Sequence, residues 1–475
     1  MRFKMGNPIS RPQRIWSYQE NTPIPVGISS NFQLDEIVLQ YLVNQGFTDP
    51  LKAACYLDHN KYTPSPAYDL PDMQKGISRI AHAIKTGELI GVWGDFDVDG
   101  QTATAVLVSA LRKLNAPVTY YIPIRKTDSH GMALEPFKRF LERGVKVVLT
   151  CDTGISAHES IIYAQSRGID VVVTDHHQLP SIFPPAHALI NPQRIDAAHP
   201  LHVLAGVGTA YKFAEALLSL YGQEDFSRQL HDLVALGTLA DVALLTGENR
   251  YLVQSGLANL TNSPRPSIRD LFLSAEIDSS FVSEEQVSFS IAPRLNAVGR
   301  LSDANPMVEF LLSEDPVFIK TQLNLLEGLN TQRKLLCDQV FNGAVAQIDR
   351  QPNLLDHPVL IVHHPEWPAG VIGIIASRLV DLYYRPVLLL AGKPGEPLRG
   401  SARSIAGIDI TEALRQNSQH LLSYGGHPFA AGLSLSEDVL NTFQRGLDAS
   451  VTRMVGENIL AQELRIDARI YSVDF

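Results

Sequence analysis

Cysteine is scarce in this chain: of 475 residues only Cys55, Cys151 and Cys337 carry a thiol, and no two form a C-x-x-C pair. That excludes a disulfide framework and a thiolate-rich zinc site, and it leads us to expect a reducing, cytoplasmic setting. Long apolar runs are also missing, so nothing approaches the roughly 20 residues of a membrane span. The amino terminus, Met1-Arg-Phe-Lys-Met-Gly, leads into Asn and Pro rather than an apolar signal core, which argues against secretion. An excess of positive charge is absent too. Lys and Arg total 40 against 50 Asp and Glu, a net charge of −10. A uniformly basic nucleic-acid coat is excluded, while a local basic groove is not. What remains, 45% hydrophobic and 19% charged residues, is the balance of a folded globular protein. The length allows roughly three domains at about 150 residues each.

Strands and helices alternate through the first half. Helical periodicity over 34–44 and 73–86 precedes a strand at Leu89-Ile-Gly-Val-Trp93, an acidic turn over 94–100 and a helix from about Thr102 to Leu114. The pattern repeats with a strand at Val145-Lys-Val-Val-Leu149 ending in Cys151-Asp-Thr-Gly154, a helix near Glu159 to Ser166, and a strand at Ile169-Asp-Val-Val-Val173 ending in Thr174-Asp-His-His177. Near-continuous apolar strands separated by helices predict a parallel sheet covered on both faces. Ligands bind at the carboxyl ends of such strands, which is where the polar residues gather. Residues 203–300 read as mostly helical. Asp315 and Pro316 open a helix that runs to about Arg350, roughly 50 Å long and a natural bridge between domains. A second α/β segment starts at Pro358-Val-Leu-Ile-Val362, and Leu464, Ile466, Ala468 and Ile470 alternate with polar residues as a final strand. A strand so near the end predicts the start of a truncated further β domain.

In Gly94-Asp-Phe-Asp-Val-Asp-Gly100 three carboxylates, Asp95, Asp97 and Asp99, sit at i, i+2 and i+4, which places them on one face of an extended segment. Crowding them is costly unless cations bind between them. A calcium EF-hand is ruled out because loop position 12, counted from Asp95, is Val106 rather than Glu. Asp152 adds a carboxylate at the next strand end, though an Asp before a Gly is also an ordinary turn residue. Asp175-His176-His177 ends the third strand, and paired histidines beside an Asp point to metal. Asp241 alone would be an unremarked helix-terminal residue. Carboxylate oxygen with one or two imidazoles suits Mn²⁺, and Mg²⁺ also fits. Several carboxylates at one sheet edge fit a two-ion cluster with ions roughly 3.5–4 Å apart, the chemistry of phosphate-ester hydrolysis.

These motifs, with Ala240-Asp-Val242, occur in the order found in the DHH phosphoesterase superfamily. The chain further resembles the RecJ family of single-strand-specific 5′→3′ exonucleases through Tyr121-Ile-Pro-Ile-Arg125, Leu204-Ala-Gly-Val-Gly208, Leu236 to Val242, Pro293-Arg-Leu-Asn-Ala-Val-Gly-Arg300, Gly370-Val-Ile-Gly373, Arg399-Gly-Ser-Ala-Arg-Ser404 and Gly425-Gly-His427. The resemblance implies an α/β fold: a parallel-sheet DHH domain joined by a helical connector to a smaller α/β DHH-associated domain, with a cleft between them. The expected divisions are a lead-in at 1–60, the catalytic domain at 61–250, the connector at 251–352, the DHH-associated domain at 353–455 and an OB-fold-like start at 456–475. It implies that Asp97 serves one ion and Asp99 the other, that Asp152 bridges them, and that His176 and Asp241 complete the second site. Asp95 and His177 would lie in or just outside that set. Substrate would be held by Arg125, Arg294, Arg300, Ser401, Arg403 and the Gly425-Gly426-His427 loop. Where the family often has Gly-Tyr-Gly, this chain reads Ser129-His-Gly, so His130 is the candidate to stack on a base. Pro368 stands where many relatives have His.

The implied activity is hydrolysis of single-stranded DNA from its 5′ end to 5′ mononucleotides, in DNA repair and recombination, with a single-strand-binding protein or helicase as partner and no membrane. Two other readings are carried. One is a DHH phosphodiesterase acting on short oligonucleotides or cyclic dinucleotides. The other is a catalytically idle scaffold in a replication or repair assembly.

Overall fold

The computed structural model describes residues 14–18, 20–128, 131–262, 264–456 and 462–467. Two compact units result, residues 49–330 in one and residues up to 48 with those from 331 onward in the other. The described residues up to 48 thus group with the carboxyl-terminal unit.

The 49–330 unit is built on five parallel strands: β1 (Ile90–Trp93), β2 (Val118–Tyr121), β3 (Val147–Cys151), β4 (Asp170–Thr174) and β5 (Ala188–Ile190), in the order β2-β1-β3-β4-β5. The central strands are apolar because both faces are covered. Ile90, Val92, Val147, Leu149 and Val172 face one core with the helices Met73–Thr86, Val98–Lys113 and Gly206–Leu220. Trp93, Val148, Val171 and Val173 face a second core with Phe137, Phe140 and Ile161 from the helices Leu134–Leu141 and His158–Ser166. The side-chain period of two supplies both cores from each strand. After β1 the chain crosses to β2 on one side, whereas β3 lies on the other, so the strand order reverses between β1 and β3. Open α/β sheets bind ligands at such a reversal.

One expectation is corrected at this reversal. The helix after β1 begins at Val98, not Thr102, because the Asp97 carboxylate accepts from the Gly100 amide at 3.0 Å and caps it. The acidic triplet is therefore not extended. Asp95 lies in the turn, Asp97 at the cap and Asp99 in the first helical turn.

The other unit carries β6 (Leu360–His363), β7 (Val387–Ala391), β8 (Leu398–Arg403), β9 (Ser423–His427) and β10 (Ala430–Leu435), in the order β9-β10-β8-β7-β6. Only β6 and β7 run parallel. A second correction falls here: Gly425-Gly426-His427 is not a loop but part of β9, an exposed edge strand. Glycine weakens strand character, which hid this strand from a reading of its residues. Arg14–Tyr18 pairs in parallel with Gln462–Ile466, so the strand read at Leu464 and Ile466 has a partner within this chain. Ala468 and Ile470 lie outside the described residues.

The helix Pro316–Arg350 forms as expected, with the Asp315 carboxylate accepting from Val317 N at 2.9 Å, and the division between units falls at 330/331 within it. No helix among the described residues is long and apolar enough to cross a membrane.

A buried ion pair ties the helix Gly206–Leu220 to the helix Gly247–Asn262. Lys212 Nζ lies 2.6 Å from Glu248 Oε1 with both side chains fully buried, and it donates to Ser65 O at 3.0 Å. Glu248 also accepts from Tyr62 Oη and Ser65 N, each at 3.1 Å. Removing one partner leaves an uncompensated buried charge, which costs about 3–5 kcal/mol. Lys212→Met is expected to lower unfolding free energy by that amount in urea titrations. A change below about 1 kcal/mol would show that the pair is not needed.

Candidate metal centre and phosphate site

The carboxyl ends of β1, β3 and β4 deliver the acidic residues to one place. Asp99 is buried, and its two oxygens accept from Gly206 N at 2.8 Å and Val207 N at 2.7 Å, the first amides of the helix Gly206–Leu220. A carboxylate at a helix amino terminus meets both unsatisfied N–H groups and the positive end of the dipole. Asp152 follows β3 in a left-handed backbone conformation, φ 58°, with its amide donating to Thr174 O at 3.1 Å. A β-carbon on Gly206 would strike the Asp152 carboxylate, so only glycine permits this approach. The Leu204-Ala-Gly-Val-Gly208 motif thus acts locally in two ways, gripping Asp99 and making room for Asp152.

Asp175 acts as a clasp. Its Oδ1 accepts from the amides of His176 (2.7 Å) and His177 (3.1 Å) and from His177 Nδ1 (2.7 Å), while Oδ2 accepts from Ile155 N (2.9 Å). Burial opposes ionisation of Asp175, but the adjoining His177 charge and these bonds outweigh it and hold the carboxyl at about 2. Burial likewise disfavours the His177 cation, yet Asp175 overcomes this and lifts its pKa to about 9. His176 Nε2 points elsewhere, 3.1 Å from Asp152 Oδ1 and 3.7 Å from Asp99 Oδ2. Asp241 caps the carboxyl end of the helix His231–Ala240.

Three overlapping sets of donor atoms result: Asp95, Asp97 and Asp152; Asp99, His176 and Asp241; Asp152, His176 and His177. Within each set the atoms all lie within 4.8 Å of one another. Asp152 and His176 each belong to two sets. The seven residues read from the sequence as metal candidates, Asp95, Asp97, Asp99, Asp152, His176, His177 and Asp241, are therefore brought together. The electrostatics fit divalent cations. Two like charges 4 Å apart repel by about 4 kcal/mol at an effective dielectric of 20. Burial, then the neighbouring carboxylates, raise Asp99 and Asp152 well above the ordinary carboxylate range. Asp241 is pushed up to about 7 by the protein packed around it and by the charge of Asp97, although its residue surface is exposed. Cations among these oxygens would relieve that repulsion, and the hard oxygen-rich set matches Mn²⁺ or Mg²⁺. Cys151, beside the site, is buried and its thiol pushed up to about 12, so it offers no thiolate.

Arg125 joins the same cluster. Its guanidinium stacks 4.1 Å from the Phe96 ring centroid. Burial lowers its pKa while the charges of Asp95 and Asp97 act to raise it. The Pro293–Arg300 motif buttresses the acidic turn: Asn296 Oδ1 accepts from Val98 N at 3.2 Å, and Gln101 Nε2 reaches Phe96 O at 2.8 Å and Leu295 O at 3.5 Å. Arg294 is engaged in an ion pair, its Nε donating to Glu327 Oε1 at 2.8 Å and its Nη1 to Ser290 O at 2.7 Å. Arg300 sits in the last turn of the helix Ala292–Leu301. His130 lies outside the described residues.

In the other unit the register collects a separate polar face. Arg403 lies opposite Ala430, which lies opposite His427; Ser401 lies opposite Gly432, which lies opposite Gly425. Opposed residues share a face, as do residues two apart. Arg403 and Ser401 therefore sit two strands, roughly 10 Å, from His427, with only Ala and Gly between. Gly426 shares the strand with φ 149°. Arg403 Nη1 donates to Ser401 Oγ at 3.0 Å. Both side chains press on Gly373 in the first turn of the helix Ile372–Tyr383, where a β-carbon would come within 2.9 Å of Ser401 Oγ and Arg403 Nη2. A guanidinium and a hydroxyl beside a helix amino terminus without a side-chain cap can hold a phosphate.

Fold and site define a protein of the DHH class, and residues 89–238 match the model described as DHH family, N-terminal domain, while 356–453 match the DHHA1 domain. The single-stranded-DNA-specific exonuclease RecJ of Escherichia coli (strain K12) is 35% identical over 421 residues, 85% of this chain and 73% of that protein. RecJ of Bacillus subtilis (strain 168) is 36% identical over 417 residues, 87% of this chain and 52% of that protein. Among solved structures, RecJ in complex with Mn²⁺ from Thermus thermophilus superposes with a TM-score of 0.81 at 29% identity over 95% of this chain and 64% of that one. An exonuclease RecJ bound to manganese gives 0.71 at 32% over 83% and 98%. The chain belongs to the RecJ family. It spans about half the length of the B. subtilis relative and about three quarters of the E. coli one.

The close approach at Gly206 generates a prediction. Gly206→Ala is expected to fold but to displace Asp152, reducing Mn²⁺-induced thermal stabilisation to near zero. Unchanged stabilisation by Mn²⁺ would show that Asp152 is not a ligand.

Proposed function

We propose that this chain is a divalent-metal-dependent exonuclease that hydrolyses single-stranded DNA from the 5′ end, releases 5′ mononucleotides and serves DNA repair and recombination. The observation that carries this reading is the overlap of three donor sets on Asp152 and His176, with Arg125 beside them. The relatives named single-stranded-DNA-specific exonucleases, and the manganese-bound RecJ structures, support the choice of substrate and metal.

In this reading Asp95, Asp97 and Asp152 would hold one ion, and Asp99, His176 and Asp241 the other, with Asp152 shared between them. A pair of such ions supplies neutralisation of phosphoryl charge and a lowered pKa for water. The rest falls to the chain. Asp175 holds the His176 and His177 amides, and its bond to Nδ1 orients the His177 ring toward the acidic cluster. Arg125, stacked on Phe96 and unable to swing away without losing that contact, offers its planar donors to a non-bridging phosphate oxygen. Arg300 is a further candidate partner for the strand, and Arg294 would contribute only by exchanging Glu327 for phosphate.

Ser401, Arg403 and the Gly373 turn would receive the terminal 5′ phosphate. The Ala and Gly floor leading to His427 lets backbone approach a sugar-phosphate chain, with His427 donating at its far side.

The test uses 5′-labelled and 3′-labelled single strands of about thirty nucleotides with Mn²⁺, beside a dinucleotide. Release of labelled mononucleotide from the 5′ end first, and faster turnover of the long strand, are expected. Preference for the dinucleotide would replace this reading with a short-oligonucleotide phosphodiesterase, and absence of any cleavage would replace it with a scaffold. Asp152→Ala is expected to lower the rate more than about a hundredfold with an unchanged circular dichroism spectrum, since even outer partners of a ligand cost up to that factor. Arg403→Ala is expected to raise KM for 5′-phosphorylated strands roughly tenfold or more, the worth of a charged hydrogen bond. Equal losses on phosphorylated and unphosphorylated ends would remove Arg403 from that pocket.

A further inference from the structure

A shallow apolar groove opens one residue from the metal centre. Its volume is about 280 Å³, and its walls are Leu239, Val242, Ala243, Leu245 and Phe289, with Glu284 and Glu285 at the rim. Two backbone irregularities build it. Val242, immediately after Asp241, adopts φ 58°, a conformation that β-branched residues rarely tolerate, and the residue is 85% exposed. Phe289 stands in a single π-helical turn, Val287–Ile291, and is 77% exposed. Such turns are rare and concentrate at functional sites. Ser288 Oγ donates to Leu239 O at 3.3 Å, fixing the turn carrying Phe289 against the helix His231–Ala240 that Asp241 caps.

We infer that this groove receives a nucleobase of the strand whose phosphate lies at the metal centre, with Phe289 as the flat face on which it packs. The inference rests on the exonuclease reading for the source of that base. Three observations select a base. The groove wall Val242 directly follows Asp241 in the chain, so a base whose phosphate lay beside Asp241 would fall within reach of this surface. The volume is just below the roughly 300–1,000 Å³ of pockets that take drug-sized ligands, which suits one flat ring. Glu284 and Glu285 repel phosphate, so the rim admits the uncharged ring and turns the backbone toward the ions. Stacking of this kind is tolerant of sequence, as an exonuclease that advances along a strand requires.

The test measures steady-state cleavage of a 5′-phosphorylated 20-mer of thymidylate and of a series of the same oligomer with a single abasic residue moved from the 5′ end inward. Wild-type protein is expected to show KM raised about tenfold at one abasic position. Phe289→Ala is expected to raise KM on the intact oligomer by a similar factor with little change in kcat, to add nothing at that one abasic position, and to keep the wild-type Tm. Phe289→Trp is expected to restore KM. Unchanged kinetics in Phe289→Ala, or a loss that simply adds to every abasic substitution, would overturn the inference; a groove serving a protein partner gives the first of these results. Binding is read separately from the tryptophan fluorescence of Phe289→Trp with Ca²⁺ in place of Mn²⁺, where quenching by the intact oligomer and not by the abasic one is expected. Base-dependent quenching without cleavage by wild-type protein would sink the exonuclease reading and keep the base site. Normal cleavage with base-independent quenching would sink the base site alone.

Discussion

Mutual repulsion among carboxylates that the fold forces together is the constraint from which the rest of the catalytic unit follows. Asp95, Asp99 and Asp152 are buried, and Asp97 and Asp241 add their charge to the same small volume. Left alone, such a cluster would take up protons or push apart. The structure instead directs backbone donors and a histidine at it. Gly206 and Val207 amides hold Asp99, the Gly100 amide holds Asp97, and His176 lies against Asp152. These contacts fix positions without neutralising the whole, so a strong site for divalent cations is left standing.

The scaffold around this cluster is organised to keep it from relaxing. The buried strands β1 and β3, and β4 from Val171 onward, end in register, and the reversal of strand order opens the space in which the carboxylates meet. A helix carries Asp99 in its first turn and another ends directly at Asp241, so both positions are tied to packed helices. The 293–300 segment serves this same end through Asn296 and the contacts of Gln101. Part of a motif expected to touch substrate is therefore occupied in holding the acidic turn.

The carboxyl-terminal unit solves a different problem by simpler means. A mixed sheet places Arg403, Ser401 and His427 on one face and clears the surface between them with glycine and alanine. The positive character that the composition denies to the chain as a whole is thus concentrated locally, by sheet register and a helix amino terminus. Bulk charge was a poor guide to it because a few positioned donors recognise phosphate better than many scattered ones.

The order of buried strands, the metal-binding residue types and the long helix were determined by the sequence itself, because continuous apolar runs, clustered Asp and His, and an Asp-Pro start are local signals. Short edge strands such as Val118–Tyr121 and Ala188–Ile190 left no comparable trace, being half-buried or only three residues long. The pairing of Arg14–Tyr18 with Gln462–Ile466 joins residues 448 positions apart, which no local pattern encodes. Only tertiary structure decided that Asp97 caps a helix, that Gly206 must lack a side chain, that Arg125 belongs with the carboxylates and that Arg294 pairs with Glu327. Each of these depends on which distant backbone or side chain arrives next to the residue, and that is settled by packing.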